Sequence, residues 1–177
     1  MRIKELKPVY DEEQIQARVA ELAAEISSLY DGEALVLVCV LKGAFMFFSD
    51  LIRRLAGPQM EVDFVRLASY GRSATPSRTI AFVKDVELSL AGKHVLIVED
   101  IVDTGHTMDF LLRQFAARGT KSLRLAVMVD KQERREVPVN ADFTGFALPG
   151  GFIVGYGLDY AERYRELPAI FEIIPEY

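Results

Sequence analysis

Three features of the sequence predict an α/β fold built on a mainly parallel, twisted sheet flanked by helices. Ala34 to Val40 and Val95 to Val98 are short, β-branched-rich apolar runs without alternation, and Ser122 to Val129 reads as another covered strand. Segments of helical periodicity lie between them, and strands alternating with helices define the class. Turns bearing glycine, lysine or carboxylates follow the strands, at the positions where open α/β sheets bind ligands.

Size and composition set the bounds. With 177 residues, half of them hydrophobic, the chain suffices for one well-cored domain and is short for two. The longest uninterrupted apolar run, Ala34 to Leu41, is too short to cross a bilayer, and MRIKELKPVYDEEQ lacks the apolar core of a signal peptide, so a cytoplasmic location is expected. Cys39, the one cysteine, has no internal partner and reads as a small buried hydrophobe. Two histidines without a Cys/His cluster argue against a zinc site, and a net charge of −5 gives no footprint for extended nucleic-acid binding.

Asp11 followed by Gln14 is a loose capping box, and Ile15, Val19, Leu22, Ile26 and Leu29 recur at helical spacing after it. Gly32 ends the connection to the strand Ala34 to Val40. Beyond Leu41-Lys42-Gly43-Ala44, the residues Phe45, Phe48, Leu51, Ile52 and Leu55 describe an apolar helix face. Met60 to Ala68 reads as a strand and Ile80 to Leu88 as a returning, half-exposed one. Between them Ser69 to Arg78 is polar and rich in small residues, either a functional lid or a long hairpin. Met108, Leu111, Leu112 and Phe115 form the buried face of a helix that Gly119 ends. Ser122 to Val129 runs into Asp130-Lys131 and a charged stretch through Glu136. The tail breaks the rhythm: Gly150 to Tyr160 mixes glycines, aromatics and one acid, which suits irregular backbone near a ligand.

The chemistry concentrates in VLIVEDIVDTGHTM, Val95 to Met108. Thr104, Gly105, His106 and Thr107 present successive N–H groups just before a helix N-terminus, where unpaired donors and the helix dipole favour an anion such as a phosphate. Glu99 and Asp100 suit sugar hydroxyls or a hard cation such as Mg²⁺. Carboxylates about 4 Å apart repel by roughly 4 kcal/mol at an effective dielectric of 20, so Glu99, Asp100 and Asp103 call for a metal or a hydroxyl-rich ligand if they converge. Phosphate at one end and diol at the other describe a sugar phosphate. Other readings stay open at this point: acids after a buried strand are common helix caps, and DTG also occurs in aspartic proteases. P-loop spacing and a strand-borne G-x-G-x-x-G are both absent.

That motif resembles the phosphoribosyl pyrophosphate signature of type I phosphoribosyltransferases. The chain resembles the hypoxanthine-guanine (6-oxopurine) branch of that family over nearly its whole length, through LKGAFMFFSDL from Leu41, SYG from Ser69, Asp130-Lys131 and FIVGYGLDYAERYREL from Phe152. Asp103 is informative, since adenine and orotate enzymes and a pyrimidine-operon RNA-binding regulator usually carry another residue there. The resemblance implies a single domain, 1–177, with a core at about 30–135 and a small hood from the N-terminal segment and about 136–177.

It further implies transfer of the 5-phosphoribosyl group from phosphoribosyl pyrophosphate to N9 of hypoxanthine or guanine, with Mg²⁺, two ions per site during turnover, in a homodimer or homotetramer. Residue by residue, Glu99 and Asp100 would hold the ribose hydroxyls and the metal environment. Asp103, Thr104, Gly105, His106 and Thr107 would wrap the 5′-phosphate, and Asp103 would also act as acid or base at purine N7. Lys131 would read the 6-oxo group, Phe152 would stack on the base and Ile153 would contact it through its backbone. Asp159 would ligate a second Mg²⁺ and Arg165 would contact pyrophosphate. Lys42 and Gly43 would bind pyrophosphate through a loop where relatives carry a non-proline cis peptide. Ser69 and Tyr70 would lie nearest the ligand in a closing lid. His106 departs from the Lys, Asn, Arg or Gly of many relatives, at a position where backbone contact is expected. On this fold an RNA-binding regulator is the alternative, and Asp103, Lys131 and Asp159 favour catalysis. Alternating helices and the Glu99-Asp100 pair disfavour the protease.

Overall fold

The computed structural model describes residues 3–70 and 79–176. Its larger sheet is formed by β2 (Ala34–Leu41), β3 (Gln59–Tyr70), β4 (Thr79–Lys84), β5 (His94–Val102), β6 (Ser122–Lys131) and β7 (Phe143–Leu148), in the spatial order β4-β3-β2-β5-β6-β7. All neighbours run parallel except β3 and β4. Apolar residues on both faces of the central strands dictate this layering. Leu35, Leu37 and Cys39 pack in one core with α1 (Glu12–Leu29) and α2 (Phe45–Ile52), whereas Val36, Val38 and Val40 pack in a second with Met108, Leu111 and Phe115 of α3 (His106–Ala116). A strand buried on both faces has no polar side to alternate with, which is why these runs are continuous.

The chain leaves β2 through α2 to reach β3 on one side, while β5 leads through α3 to β6 on the other. Strand order therefore reverses between β2 and β5, and their carboxyl ends open the crevice where such sheets take ligands. Over it lies a second, antiparallel sheet of β1 (Ile3–Tyr10), β8 (Ile153–Val154) and β9 (Ile170–Pro175), in the order β1-β9-β8. Ile153, Tyr156, Leu158 and Ile170 from these terminal segments join the core beneath α1 and α2. Residues 143–148, inside the stretch assigned to the hood, form instead the edge strand of the main sheet. Among the described residues no helix is long and apolar enough to cross a membrane.

Local expectations hold where one signal dominates. The capping box is present: Gln14 N–H donates to Asp11 Oδ1 at 2.8 Å, and Asp11 N–H donates to Gln14 Oε1 at 3.0 Å. Leu29 is exposed, however, and Tyr30 at the C-cap is the residue buried in its place. In α2 the buried residues are Phe47, Phe48 and Leu51, with Phe45 exposed; six of its eight residues are apolar, so periodicity could not choose the face. Strand β4 stops at Lys84 rather than Leu88 because a buried carboxylate captures the backbone. Asp63 Oδ2 accepts from the N–H groups of Glu87 (2.7 Å) and Leu88 (2.8 Å), which removes them from a ladder. Of the predicted loop Ser69 to Arg78, residues 71–78 lie outside the described residues. Ser69 and Tyr70 end β3, paired with Ile80 and Thr79.

Candidate active site

Glu99 and Asp100 sit side by side near the end of β5, which continues to Val102. Each carboxylate takes the next N–H of its own chain: Asp100 N–H donates to Glu99 Oε1 at 3.0 Å and Ile101 N–H to Asp100 Oδ1 at 2.8 Å. Burial, followed by the charge of Asp100, pushes the Glu99 carboxyl well above its ordinary range. Burial raises Asp100 too, against the pull of hydrogen bonds and of the Arg165 charge. Beneath them burial first, and then these two charges, push the Cys39 thiol up to about 12, which leaves it inert.

The strand then turns into α3 through Gly105, whose φ of 92° places it in the left-handed region. Only glycine fits here, since a Cβ would also lie 2.3 Å from the Val137 carbonyl oxygen. No side chain caps α3, so its first N–H groups are left for a ligand. Beside them is a cavity of about 130 Å³ lined by Glu99, Asp103, Thr104, Gly105 and Thr107 among others. His106 opens the helix and lies 2.7 Å from Glu136 through its Nε2.

Asp103 and Lys131 are brought together, although 28 residues separate them. Lys131 ends β6, is buried, and places Nζ 3.8 Å from Asp103 Oδ1. That oxygen is itself buried and has no hydrogen-bond partner among the described residues. Arg134 approaches the other oxygen at 3.5 Å. Such a carboxylate atom is an acceptor waiting for a donor. Phe152, just before β8, is 48% exposed and edge-on to Tyr160, while Ile153 after it is buried and paired with Glu172.

Lys42 and Gly43 follow β2, and the Leu41–Lys42 peptide is cis. Gly43 lies tight against Asp100: a Cβ on it would be 1.6 Å from Asp100 Oδ2. From the other side Gly157 presses on Gly43, with a Cβ position 2.0 Å from its carbonyl oxygen. Glu162 then links the two loops, accepting from Lys42 Nζ at 2.9 Å and Arg165 Nη2 at 3.4 Å. Arg165 also pairs with Asp159 at 2.8 Å and donates to the Gly157 carbonyl at 2.8 Å, yet its buried Nε has no partner among the described residues. Among the described residues no group of three or more His, Cys, Asp or Glu could hold a metal ion.

Arg135 was hidden from the sequence reading inside the charged stretch after Lys131. Its guanidinium donates to the carbonyls of Val102, Asp103, Lys131 and Val139 and pairs with Asp130. Glu162 was hidden as well, because neither its left-handed φ of 62° nor its two cationic neighbours leaves a mark in the letters.

Known proteins resemble this chain in sequence and fold. Residues 6–161 match the model of the phosphoribosyl transferase domain family. A hypoxanthine-guanine phosphoribosyltransferase of Bacillus subtilis is 43% identical over 169 residues, covering 96% of this chain and 93% of that protein. A hypoxanthine phosphoribosyltransferase of Salmonella typhimurium is 44% identical over 165 residues, 92% of each. The crystal structure of a hypoxanthine-guanine phosphoribosyltransferase from Bacillus anthracis superposes with a TM-score of 0.89 at 40% identity, covering 98% of this chain and all of that one. With a family model spanning most of its length and relatives above 40% identity, this chain belongs to the phosphoribosyl transferase domain family.

Proposed function

We propose that this protein is a purine-salvage enzyme, transferring the 5-phosphoribosyl group of phosphoribosyl pyrophosphate to N9 of hypoxanthine or guanine and releasing IMP or GMP and pyrophosphate. The observation that carries the reading is the meeting of Asp103 and Lys131: an acceptor without a donor and a buried ammonium, 3.8 Å apart, beside the uncapped end of α3. A 6-oxopurine offers a ring N7 and an adjacent carbonyl at similar separation. Asp103 exchanges a proton with N7 as N9 attacks, and Lys131 donates to the 6-oxo group, which adenine replaces with an amino donor. Phe152 stacks on the base with its exposed face, and Ile153 contributes its backbone.

On the sugar side, the N–H groups of Thr104, Gly105, His106 and Thr107 take the 5′-phosphate. Glu99 and Asp100 accept from the ribose hydroxyls and stabilise positive charge developing on the ribose ring as the anomeric bond breaks. The Lys42-Gly43 backbone and Arg165 take the departing pyrophosphate. Mg²⁺ fits the donor set, since this ion keeps several waters and needs only one or two protein carboxylates besides substrate oxygens. Glu99, raised by burial and the Asp100 charge, and Asp100, raised by burial, would hold one ion's surroundings, and Asp159 on the tail would serve a second. Bound Mg²⁺ supplies neutralisation of charge on the leaving pyrophosphate. Ser69 and Tyr70 lead a lid that keeps water from the ribose. The chain works as one unit, core with hood, in the cytoplasm and as a homodimer or homotetramer.

The test is incubation with phosphoribosyl pyrophosphate and hypoxanthine, with and without Mg²⁺. IMP and pyrophosphate in equal amounts, and only with Mg²⁺, support the reading. Bound phosphoribosyl pyrophosphate without nucleotide from any base would contradict it.

A further inference from the structure

We propose that Arg135 is a positioning residue that aims the phosphate-binding amides and the Asp103 carboxylate from behind. The inference rests on the proposed function for its ligand, but the geometry is that of the free protein. Arg135 touches none of the reacting groups; besides its pair with Asp130, its bonds are to backbone carbonyls, two of them, Val102 and Asp103, at the loop.

Those carbonyls are consecutive. Arg135 Nη2 donates to Val102 O at 3.1 Å and Nε to Asp103 O at 2.9 Å, and Thr104 O accepts from the N–H groups of Glu136 (2.9 Å) and Val137 (3.0 Å). In a trans peptide the C=O and the following N–H point in opposite directions. Holding the carbonyls of Val102, Asp103 and Thr104 on one side therefore turns the N–H groups of Asp103, Thr104 and Gly105 toward the other. The same guanidinium reaches Lys131 O at 3.1 Å and Val139 O at 2.9 Å and pairs with Asp130, so it also joins the end of β6, where the base is read, to the loop where phosphate binds. Its side chain is largely buried.

Only a planar fork can do this. Arginine offers five fixed N–H donors, and lysine would keep the charge opposite Asp130 but serve the carbonyls from a single point. The substitution Arg135→Lys thus separates positioning from charge balance. Ribose 5-phosphate is the binding probe, because calorimetry reports its Kd whether or not transfer occurs. We expect Arg135→Lys to weaken it about tenfold, as losing aligned donors does. It should also lower kcat about tenfold. Because that second effect acts through Asp103, adding Arg135→Lys to Asp103→Asn should lower kcat no further, the signature of coupled residues in a double-mutant cycle.

An unchanged Kd in Arg135→Lys, or additive losses in kcat, would overturn the proposal; a change in Tm alone would count as unchanged. Should Arg135→Lys fail to fold, Asp130→Asn carries the test by loosening the same guanidinium. It is expected to weaken ribose 5-phosphate about two- to threefold, and an unaltered Kd there would equally overturn the proposal. Absence of transfer in the unmutated protein would defeat the proposed function, while the calorimetric comparison would still decide the role of Arg135.

Discussion

The loop from Val102 to Thr107 follows the β5 carboxylate Asp100, which lies against Gly43, and the tail from Gly155 to Arg165 reaches Gly43 through Gly157, yet loop and tail are held by different means. In the first, the only left-handed residue is a glycine, and three successive carbonyls are tied down by Arg135 and the backbone of Glu136 and Val137. In the second, Tyr156, Ala161, Glu162 and Tyr164 all have positive φ without being glycine, at a cost of order 1–3 kcal/mol each. Its ties are short bridges, Gly155 to Leu158 and Tyr160 to Arg163, and exposed ion pairs such as Lys42 to Glu162. Exposed pairs contribute little, so a polyanion can replace them readily. The contrast is between a wall whose carbonyls are pinned by buried donors and one whose ion pairs face solvent.

The largest expected effect lies on the fixed wall. Asp103→Asn should lower kcat by about 10²–10⁴-fold while the fold persists, as steady-state kinetics beside circular dichroism would show. A near-normal turnover would remove the acid–base role. Gly43→Ala strikes the end of β5 that leads into the fixed wall. Its methyl would overlap the Asp100 carboxylate and push the loop away, and displacement of about 1 Å costs on the order of 10²-fold in rate.

Lys131→Ala sharpens the comparison by touching selection rather than speed. It should lower the preference for hypoxanthine over adenine by about tenfold or more, since a buried donor matched to a carbonyl is lost. Equal preference in mutant and parent would mean that another group reads the base.

Smallest is the effect on the anchor of the tail. Tyr156 OH donates to Asp50 Oδ2 at 2.8 Å, fixing the tail to α2. Burial pushes the Asp50 carboxyl up, but hydrogen bonds from Gln16, Tyr156 and Arg53 and the Arg53 charge outweigh it, leaving its pKa lowered. A lowered carboxylate contributes stability that is present above its unfolded pKa, about 3.9, and lost as pH falls through the folded value. Tyr156→Phe should therefore cost about 1–2 kcal/mol near pH 7 and less in acid, measured by urea unfolding at both. A cost independent of pH would show that the hydroxyl does not act through Asp50.

Much of this was legible in the letters, for reasons that differ by region. The turn from β5 into α3 is a strand, a glycine and a helix in direct succession, so local patterning specifies it. The capping box and the two-sided strands are local as well. The hood was not legible from patterning: β1 alternates poorly between buried and exposed, β8 has two residues, and both exist because β9 returns to pair with them. Arg135 and Asp63 escaped for a common reason. A charged residue that satisfies backbone groups from a distant segment has the same letter as one in solvent, and only folding distinguishes them. The tail residues Asp159 and Arg165 were reached through resemblance alone, because their backbone follows no periodic rule.

The most direct measurement is a competition assay in which hypoxanthine, guanine, xanthine and adenine are offered together with phosphoribosyl pyrophosphate and Mg²⁺, and the nucleotides formed are counted. IMP or GMP is expected in large excess over AMP. Nucleotide formed predominantly from adenine, or from no base at all, would contradict it.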